Sequence, residues 1–508
     1  MKNHQSLVKN TLEGKNILIT GCTGFLGKVI LEKLIRSTPG VASIKLLIRA
    51  DTKFQTPQDR LEKDILSSSI FDHLKRTDLA AFKAFCESKV SVVAGELTEP
   101  EFGLEPMEFI DLARKTDVIV NSAASVNFRE ALDKALRINT LCLYNIIELS
   151  NLGDNIPVVH VSTCYVNGFN KGDIYEETRA PFLRKVIRNQ KGQFLVEGLI
   201  HRLKDKISYT RVPSDSRLDQ EAAMVDLGIA QANSYGWNDT YTFTKWLGEQ
   251  LLIEKLDQQS LSIVRPAIIE STLLGPEPGW IEGIKVADAI VFAYARGKIA
   301  YFPANPHGVM DIIPADLVAN SVILAIAKVF VTPGETNIYQ CSSSGSNPVT
   351  ISELKRAMVD EAQSNYKSYP KLFKMKKPAK EFTFVSKSVF ETAMKAAQVP
   401  LGLLHDMKSL LRRREHKNKM LKNIDTALNL STTFSFYGFP KYRFHNGKLL
   451  ALAAELGEPI DGEFAVDARL INWKQYFGKT HLAGLEKYAI KDAAVESLIK
   501  KKKHEETA

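Results

Sequence analysis

The sequence predicts an α/β fold, a doubly wound parallel sheet with a smaller, mainly helical part behind it. Three observations predict this. From Asn16 to about Leu354, short aliphatic or β-branched runs alternate with longer stretches of helical periodicity. The first run, Ile17-Leu18-Ile19-Thr20, passes directly into Gly21-Cys22-Thr23-Gly24-Phe25-Leu26-Gly27 and then into an amphipathic pattern. After about residue 365 the alternation fades and the chain becomes helical and basic.

Each element follows from its local pattern. The runs at 16–20, 44–48, 90–94, 117–121, 158–162 and 262–264 read as strands covered on both faces. The stretches 28–37, 106–115 and 128–150 read as the helices that cover them. Between the fifth strand and the helix beginning near Asp239 lie about 70 residues, 169–238, that a minimal fold of this kind does not require. The expected division is a parallel-sheet domain over 1–365 and a helical, basic domain over 366–508, the latter carrying KMKKPAK, RRREHKNK and KKKHEE. No internal repeat is visible.

Of the 508 residues 44% are hydrophobic and 25% charged, with 20 Pro and 29 Gly, which excludes disordered and collagen-like chains. The five cysteines, Cys22, Cys86, Cys142, Cys164 and Cys341, are scattered and never spaced C-x-x-C. That pattern argues against a zinc ribbon or a disulfide framework and fits a reducing compartment. The first residues have no apolar signal core, and the longest apolar stretch, 317–331, is interrupted by Asn320 and Lys328 and is too short to span a bilayer. A cytoplasmic protein is expected. The net charge of +9 is uneven: residues 341–508 hold 29 Lys and Arg against 18 Asp and Glu, and the remainder 38 against 40. The basic part is either a solvated face or a surface that meets something anionic.

The glycine turn between the first strand and the first helix suits a dinucleotide. Gly21 permits the tight turn, Gly24 lets backbone amides approach a pyrophosphate, Gly27 lets helix and strand pack closely, and the helix start supplies positive partial charge. Arg49 ends the second strand, where an acid often binds ribose hydroxyls; a cation there suits the 2′-phosphate of NADPH, or is a solvent-exposed arginine.

Tyr241 and Lys245 are four residues apart near a helix start and share one face. A phenol becomes a usable proton donor when an ammonium beside it stabilises the phenolate, and the same ammonium can hold the nicotinamide ribose. The fifth strand ends in Ser162 and Thr163 at the sheet edge where ligands of such folds bind; alternation along a strand turns only one of them to the site, with Thr163 as the hydroxyl that bonds a substrate carbonyl. Cys164 reads as a small buried residue rather than a nucleophile, and Asn139 as a structural hydrogen-bonding residue. His160 and His307 show no metal-ligand spacing and read as packing or surface histidines, so no metal is expected.

Together TGCTGFLG, NSAASVNF, VSTCYVNG, YTFTK and VRPAII resemble the extended short-chain dehydrogenase/reductase family, and more closely its fatty acyl-CoA reductase branch. The segments Pro278-Gly279-Trp280-Ile281 and Asp311 to Val318 look like that branch too. The resemblance covers residues 14–355 strongly and the helical remainder more weakly. It implies a Rossmann-type sheet that binds NADPH, with Thr163, Tyr241 and Lys245 catalytic. Around the cofactor it implies Gly21, Thr23, Gly24, Phe25, Leu26, Gly27 and Arg49, together with Ala123, Lys245, Pro266 and Ile268. Glu96 and Leu97 stand where relatives carry Asp and an apolar residue beside the adenine. The implied reaction is reduction of a long-chain fatty acyl-CoA, or of an acyl carrier protein thioester, to the aldehyde and on to the alcohol. The lysine-rich end resembles a soluble bacterial-type member, with contact to a membrane surface through the basic region.

Two alternatives stay open at this point. One is another reductase or epimerase of the extended family, acting on a sterol or a nucleotide sugar; the other is a dinucleotide-sensing protein without turnover. Nucleic acid is not an expected partner, because no aromatic stacking motifs are interleaved with the basic charge. The insertion is expected to line an acyl tunnel, with Phe194 to Val196 and Gly198 to Ile200 as either tunnel wall or helix core.

Overall fold

The computed structural model describes residues 6–211, 217–285, 287–297, 299–393, 396 and 436–490. Seven parallel strands build the central sheet: β1 Asn16–Thr20, β2 Ser43–Ile48, β3 Val90–Ala94, β4 Val118–Asn121, β5 Val158–Val161, β6 Leu261–Pro266 and β7 Thr336–Cys341. Their spatial order is β3-β2-β1-β4-β5-β6-β7, with Ile17 opposite Ile44 on one side and Val118 on the other. The order reverses between β1 and β4, so the connections leave on opposite faces and open a crevice at the carboxyl ends of the strands.

The six expected strands are present to within two residues at each end, and β7 is an addition. Its sequence, Thr-Asn-Ile-Tyr-Gln-Cys, is polar, and the side-chain nitrogen of the buried Gln340 donates to distant carbonyls, those of Ile174 and His445, at 3.0 and 2.7 Å, while its Oε1 has no partner among the described residues. The expected helix at 128–150 is not continuous. It is a short helix Leu132–Leu136, a π-helical turn Arg137–Leu141 and a second helix Leu143–Leu152.

The apolar stretch around Leu317 is the helix Ala315–Val331, buried on nearly every side between the helix Phe25–Ser37 and the sheet. Its two polar interruptions have distant partners: Asn320 donates to the Ala465 carbonyl at 2.7 Å, and Lys328 pairs with Glu455 at 2.8 Å. Among the described residues no helix is long and apolar enough to cross a membrane.

Residues 436–490 are mainly helical, and they share their hydrophobic core with the sheet. Phe444, Leu449, Tyr476 and Leu485 are buried in the same cluster as Ile19 and Val159. The strand Tyr442–Phe444 pairs in parallel with Gly172–Ile174 of the insertion. His481 fastens this part to the strand Ile268–Glu270, which continues from the sheet: its Nε2 meets Asp288 at 2.8 Å and its Nδ1 meets Ser271 at 2.9 Å. Glu270 lies beside them, and burial and the Asp288 charge raise its carboxyl far above the usual range. These three residues have metal-ligand chemistry, yet both imidazole nitrogens already have protein partners. Of the basic patches, KMKKPAK lies between the short helix Pro370–Phe373 and the strand Thr383–Val385; RRREHKNK and KKKHEE fall outside the described residues.

Candidate active site

A cavity of about 770 Å³ opens where β1, β2, β4, β5 and β6 end. Gly21, Thr23, Gly24, Phe25, Leu26 and Gly27 form one end. Gly21 has φ +75°, and a Cβ there would lie 2.5 Å from the Ala123 nitrogen; one on Gly27 would lie 2.3 Å from the Gly21 oxygen. Gly24 differs, since its added Cβ would meet only the Gly21 oxygen at 3.3 Å and otherwise project into the cavity. Gly24 is also the N-cap of the helix Phe25–Ser37, and no side chain caps that end. The first-turn amides therefore face a space shaped for an anion, which is what a pyrophosphate needs.

Arg49, Glu96 and Leu97 line the side of the cavity, with Arg49 paired to Glu96 at 2.6 Å. Arg60, which the sequence reading did not single out, joins them and donates to the Arg49 carbonyl at 3.1 Å. Two guanidinium groups thus stand beside the end of β2.

The far end holds Ala123, Thr163, Tyr241, Lys245, Pro266 and Ile268. Tyr241 and Lys245 sit on the helix Thr240–Lys255, whose N-cap Asp239 accepts from the Thr242 amide at 2.8 Å. The back of this helix is locked by Asn139, which donates to the Thr244 hydroxyl at 3.0 Å, and by a buried two-pronged ion pair of Glu249 with Arg265 on β6, at 2.8 and 2.6 Å. The amide of Asn139 also bonds both backbone groups of Ser125, so its whole capacity holds structure.

The Tyr241 phenol stands beside the Thr163 hydroxyl, which donates to the Pro266 carbonyl at 3.3 Å, and its ring packs edge-on against Phe128 with centroids 5.9 Å apart. Burial, then the Asp239 charge, pushes this phenol well up, while the Thr163 hydroxyl acts the other way. The expected ammonium–phenolate support is not the arrangement here. Lys245 is turned into the wall, donating to the Val161 carbonyl at 2.7 Å and meeting His160 Nε2 at 3.1 Å. Burial lowers Lys245 to about 8. His160 is neutral, driven well below its ordinary value by burial and by the Lys245 charge, and its other nitrogen meets the Asn121 amide at 3.0 Å.

Ser162 and Thr163 both line the cavity, contrary to strict alternation, although the chain is still extended there: the Ser162 amide donates to the Val264 carbonyl at 2.7 Å, and Thr163 has φ −153° and ψ 148°. Thr163 is the one beside the Tyr241 phenol, whereas the Ser162 hydroxyl is buried without a partner among the described residues. The Cys164 thiol donates to the Arg265 carbonyl at 2.9 Å, and burial pushes it far above its ordinary value, so it is no nucleophile. Phe194, Val196, Leu199 and Ile200 are helix core around Trp246 rather than tunnel wall.

Three neighbours escaped the sequence reading. Tyr437 enters the cavity from the C-terminal part and reaches Asp239 at 3.3 Å; Phe128 packs on both Tyr241 and Tyr437. His160 did carry a signal: a polar side chain inside the fully buried strand Val-Val-His-Val requires a partner.

Comparison with known proteins gives a consistent result. Residues 19–322 match the family model described as Male sterility protein, NAD-binding, and residues 401–492 match a second model, Sterile, with the same description. The chain is 33% identical over 505 residues to Fatty acyl-CoA reductase 2, chloroplastic, of Arabidopsis thaliana, covering 95% of this chain and 79% of that protein. It is 31% identical to the Alcohol-forming fatty acyl-CoA reductase of Simmondsia chinensis, covering 94% and 98%. Among solved structures, the terminal R domain of the myxalamid PKS-NRPS pathway shares the fold at TM-score 0.57 and 17% identity, covering 93% of this chain and 90% of that one. The R domain of a nonribosomal peptide synthetase from Mycobacterium tuberculosis does so at 0.56 and 18%, covering 94% and 95%.

Proposed function

The chain belongs to the male sterility protein family together with the fatty acyl-CoA reductases, and from that premise we propose that it uses NADPH to reduce long-chain fatty acyl thioesters to aldehydes and then, in the same cavity, to alcohols. It is an oxidoreductase of acyl thioesters that takes a nicotinamide dinucleotide. One observation carries the reading: Thr163 and Tyr241 line the same cavity as the glycine turn.

When bound, the reduced nicotinamide supplies hydride. Gly21 to Gly27 and the helix start would hold the pyrophosphate, Arg49 and Arg60 the 2′-phosphate, and Lys245 the nicotinamide ribose. The Thr163 and Tyr241 hydroxyls donate hydrogen bonds to the thioester carbonyl oxygen and stabilise its charge as it develops. Collapse of that oxyanion re-forms the carbonyl, breaks the carbon–sulfur bond and expels the thiolate, which takes a proton from solvent, leaving the aldehyde. In the second reduction the phenol of Tyr241 delivers its proton to the alkoxide, and its raised pKa keeps it protonated between turnovers. No covalent enzyme thioester is required, in keeping with the inert Cys164.

The test follows NADPH consumption, free thiol and alcohol together, with acyl-CoA substrates of graded length. Thiol is expected to appear as the first equivalent of NADPH is oxidised. Oxidation without thiol release overturns the reading.

A further inference from the structure

A second cavity of about 680 Å³ lies against the first. Phe128 is common to both linings. Asp239 lines the second and Tyr437 the first, and the two are joined by a 3.3 Å hydrogen bond. The partition is therefore only about one side chain thick, and Tyr241 packs directly on it through Phe128.

The charge of this second cavity is one-sided. Arg129, Lys171, Lys387 and Lys441 all line it, drawn from four separated parts of the chain. Among the described residues, Arg129, Lys171 and Lys441 have no ion-pair partner, whereas Lys387 approaches Glu391 at 3.8 Å. The lining contains one acid, Asp239, and its carboxyl is buried and engaged by Thr242 and Tyr437. Between the cations stand aromatic faces, notably Phe169 and Phe436, which pack on each other with centroids 6.0 Å apart. Unpaired cations around aromatic rings suit a ligand with several phosphates and a flat base.

We propose that this second cavity is the coenzyme A subsite. Arg129, Lys171 and Lys441 take the phosphates, Phe169 and Phe436 take the base or the pantetheine arm, and the thioester reaches Thr163 and Tyr241 past Phe128. The assignment rests on the reading of the chain as an acyl thioester reductase, and it commits to free coenzyme A rather than a carrier protein, because a carrier-bound arm brings a single phosphate to a site with at least three unpaired cations.

The test uses the full chain with palmitoyl-CoA and with palmitoyl-pantetheine, which lacks the nucleotide, in the wild type and in the double variant Lys171→Glu, Lys441→Glu. Both side chains are exposed, and an unchanged melting temperature checks the fold. The expected result is a KM for palmitoyl-CoA raised tenfold or more, a KM for palmitoyl-pantetheine that moves less than twofold, and a weaker salt dependence of the palmitoyl-CoA reaction. Calorimetric titration with free coenzyme A, which needs no turnover, is expected to show binding to the wild type and at least tenfold weaker binding to the variant. Equal effects on both substrates, an effect on neither, or a wild type that prefers an acyl carrier protein thioester each overturn the subsite. Coenzyme A binding without thioester reduction overturns the functional reading while leaving the subsite standing.

Discussion

The ammonium of Lys245 is hydrogen-bonded to a neutral histidine, His160, at 3.1 Å in a fully buried wall. The imidazole is itself held by Asn121, which accepts from Thr20 at 2.5 Å, so a polar chain runs across the ends of β5, β4 and β1 beneath the cavity. An ammonium with few partners in a dry wall loses its proton easily, and this places Lys245 at about 8.

Activity that depends on the Lys245 ammonium is expected to decline as pH rises through about 8. His160→Phe removes an acceptor from the ammonium, so the descending limb should move to lower pH, with His160→Gln partly restoring it. A pH profile of kcat checks this, and an unmoved limb in His160→Phe would rule out the coupling. The stability sign is opposite: the unfolded chain holds the lysine proton up to 10.5 and the folded chain releases it near 8, so unfolding free energy should rise with pH across that window.

Tyr241→Phe keeps the ring against Phe128 and removes the proton, so kcat should fall by about 10² to 10⁴ with the fold intact. Thr163→Val should cost about 10² to 10³ through loss of one oxyanion donor. Single-turnover NADPH oxidation measures both; an unchanged rate in Tyr241→Phe removes the phenol from the mechanism.

Gly24→Ala and Gly21→Ala separate ligand binding from folding. The former meets only the Gly21 carbonyl oxygen, at 3.3 Å, a tight contact that a small shift relieves, so it should melt close to the wild type while binding NADPH at least tenfold more weakly. The latter places a Cβ 2.5 Å from backbone at positive φ and should lower the melting temperature. Identical behaviour of the two would contradict the cradle.

Arg49→Gln is expected to raise the KM for NADPH about tenfold while changing that for NADH less than threefold, since charge–phosphate bonds are worth about 1.5 to 3 kcal/mol. Equal changes for both cofactors remove the 2′-phosphate assignment.

Arg265→Met leaves Glu249 buried without its partner, behind the helix that carries Tyr241 and Lys245. A loss of about 3 to 5 kcal/mol is expected in denaturant unfolding. A loss under about 1 kcal/mol would mean that the pair is dispensable.

Much of this was legible in the sequence because it is local. The glycine turn, the Tyr–Lys spacing and six of the strands are each written within a few neighbouring residues. What was missed depends on distant partners. β7 reads as polar because the partners of the Gln340 side-chain nitrogen, the Ile174 and His445 carbonyls, lie far off in the chain. His160 looked like packing because Lys245 lies on another element. The role of Tyr437 follows only from tertiary packing, since nothing near it in the chain points to Asp239.

Tyr437 also bears on how such enzymes can be dissected or recombined. Because its ring lines the same cavity as Tyr241, removing the C-terminal part would open the wall of that cavity, and grafting another reductase's tail in its place would alter the lining. Chimaeras that respect only the sheet boundary should therefore exchange substrate preference together with the tail.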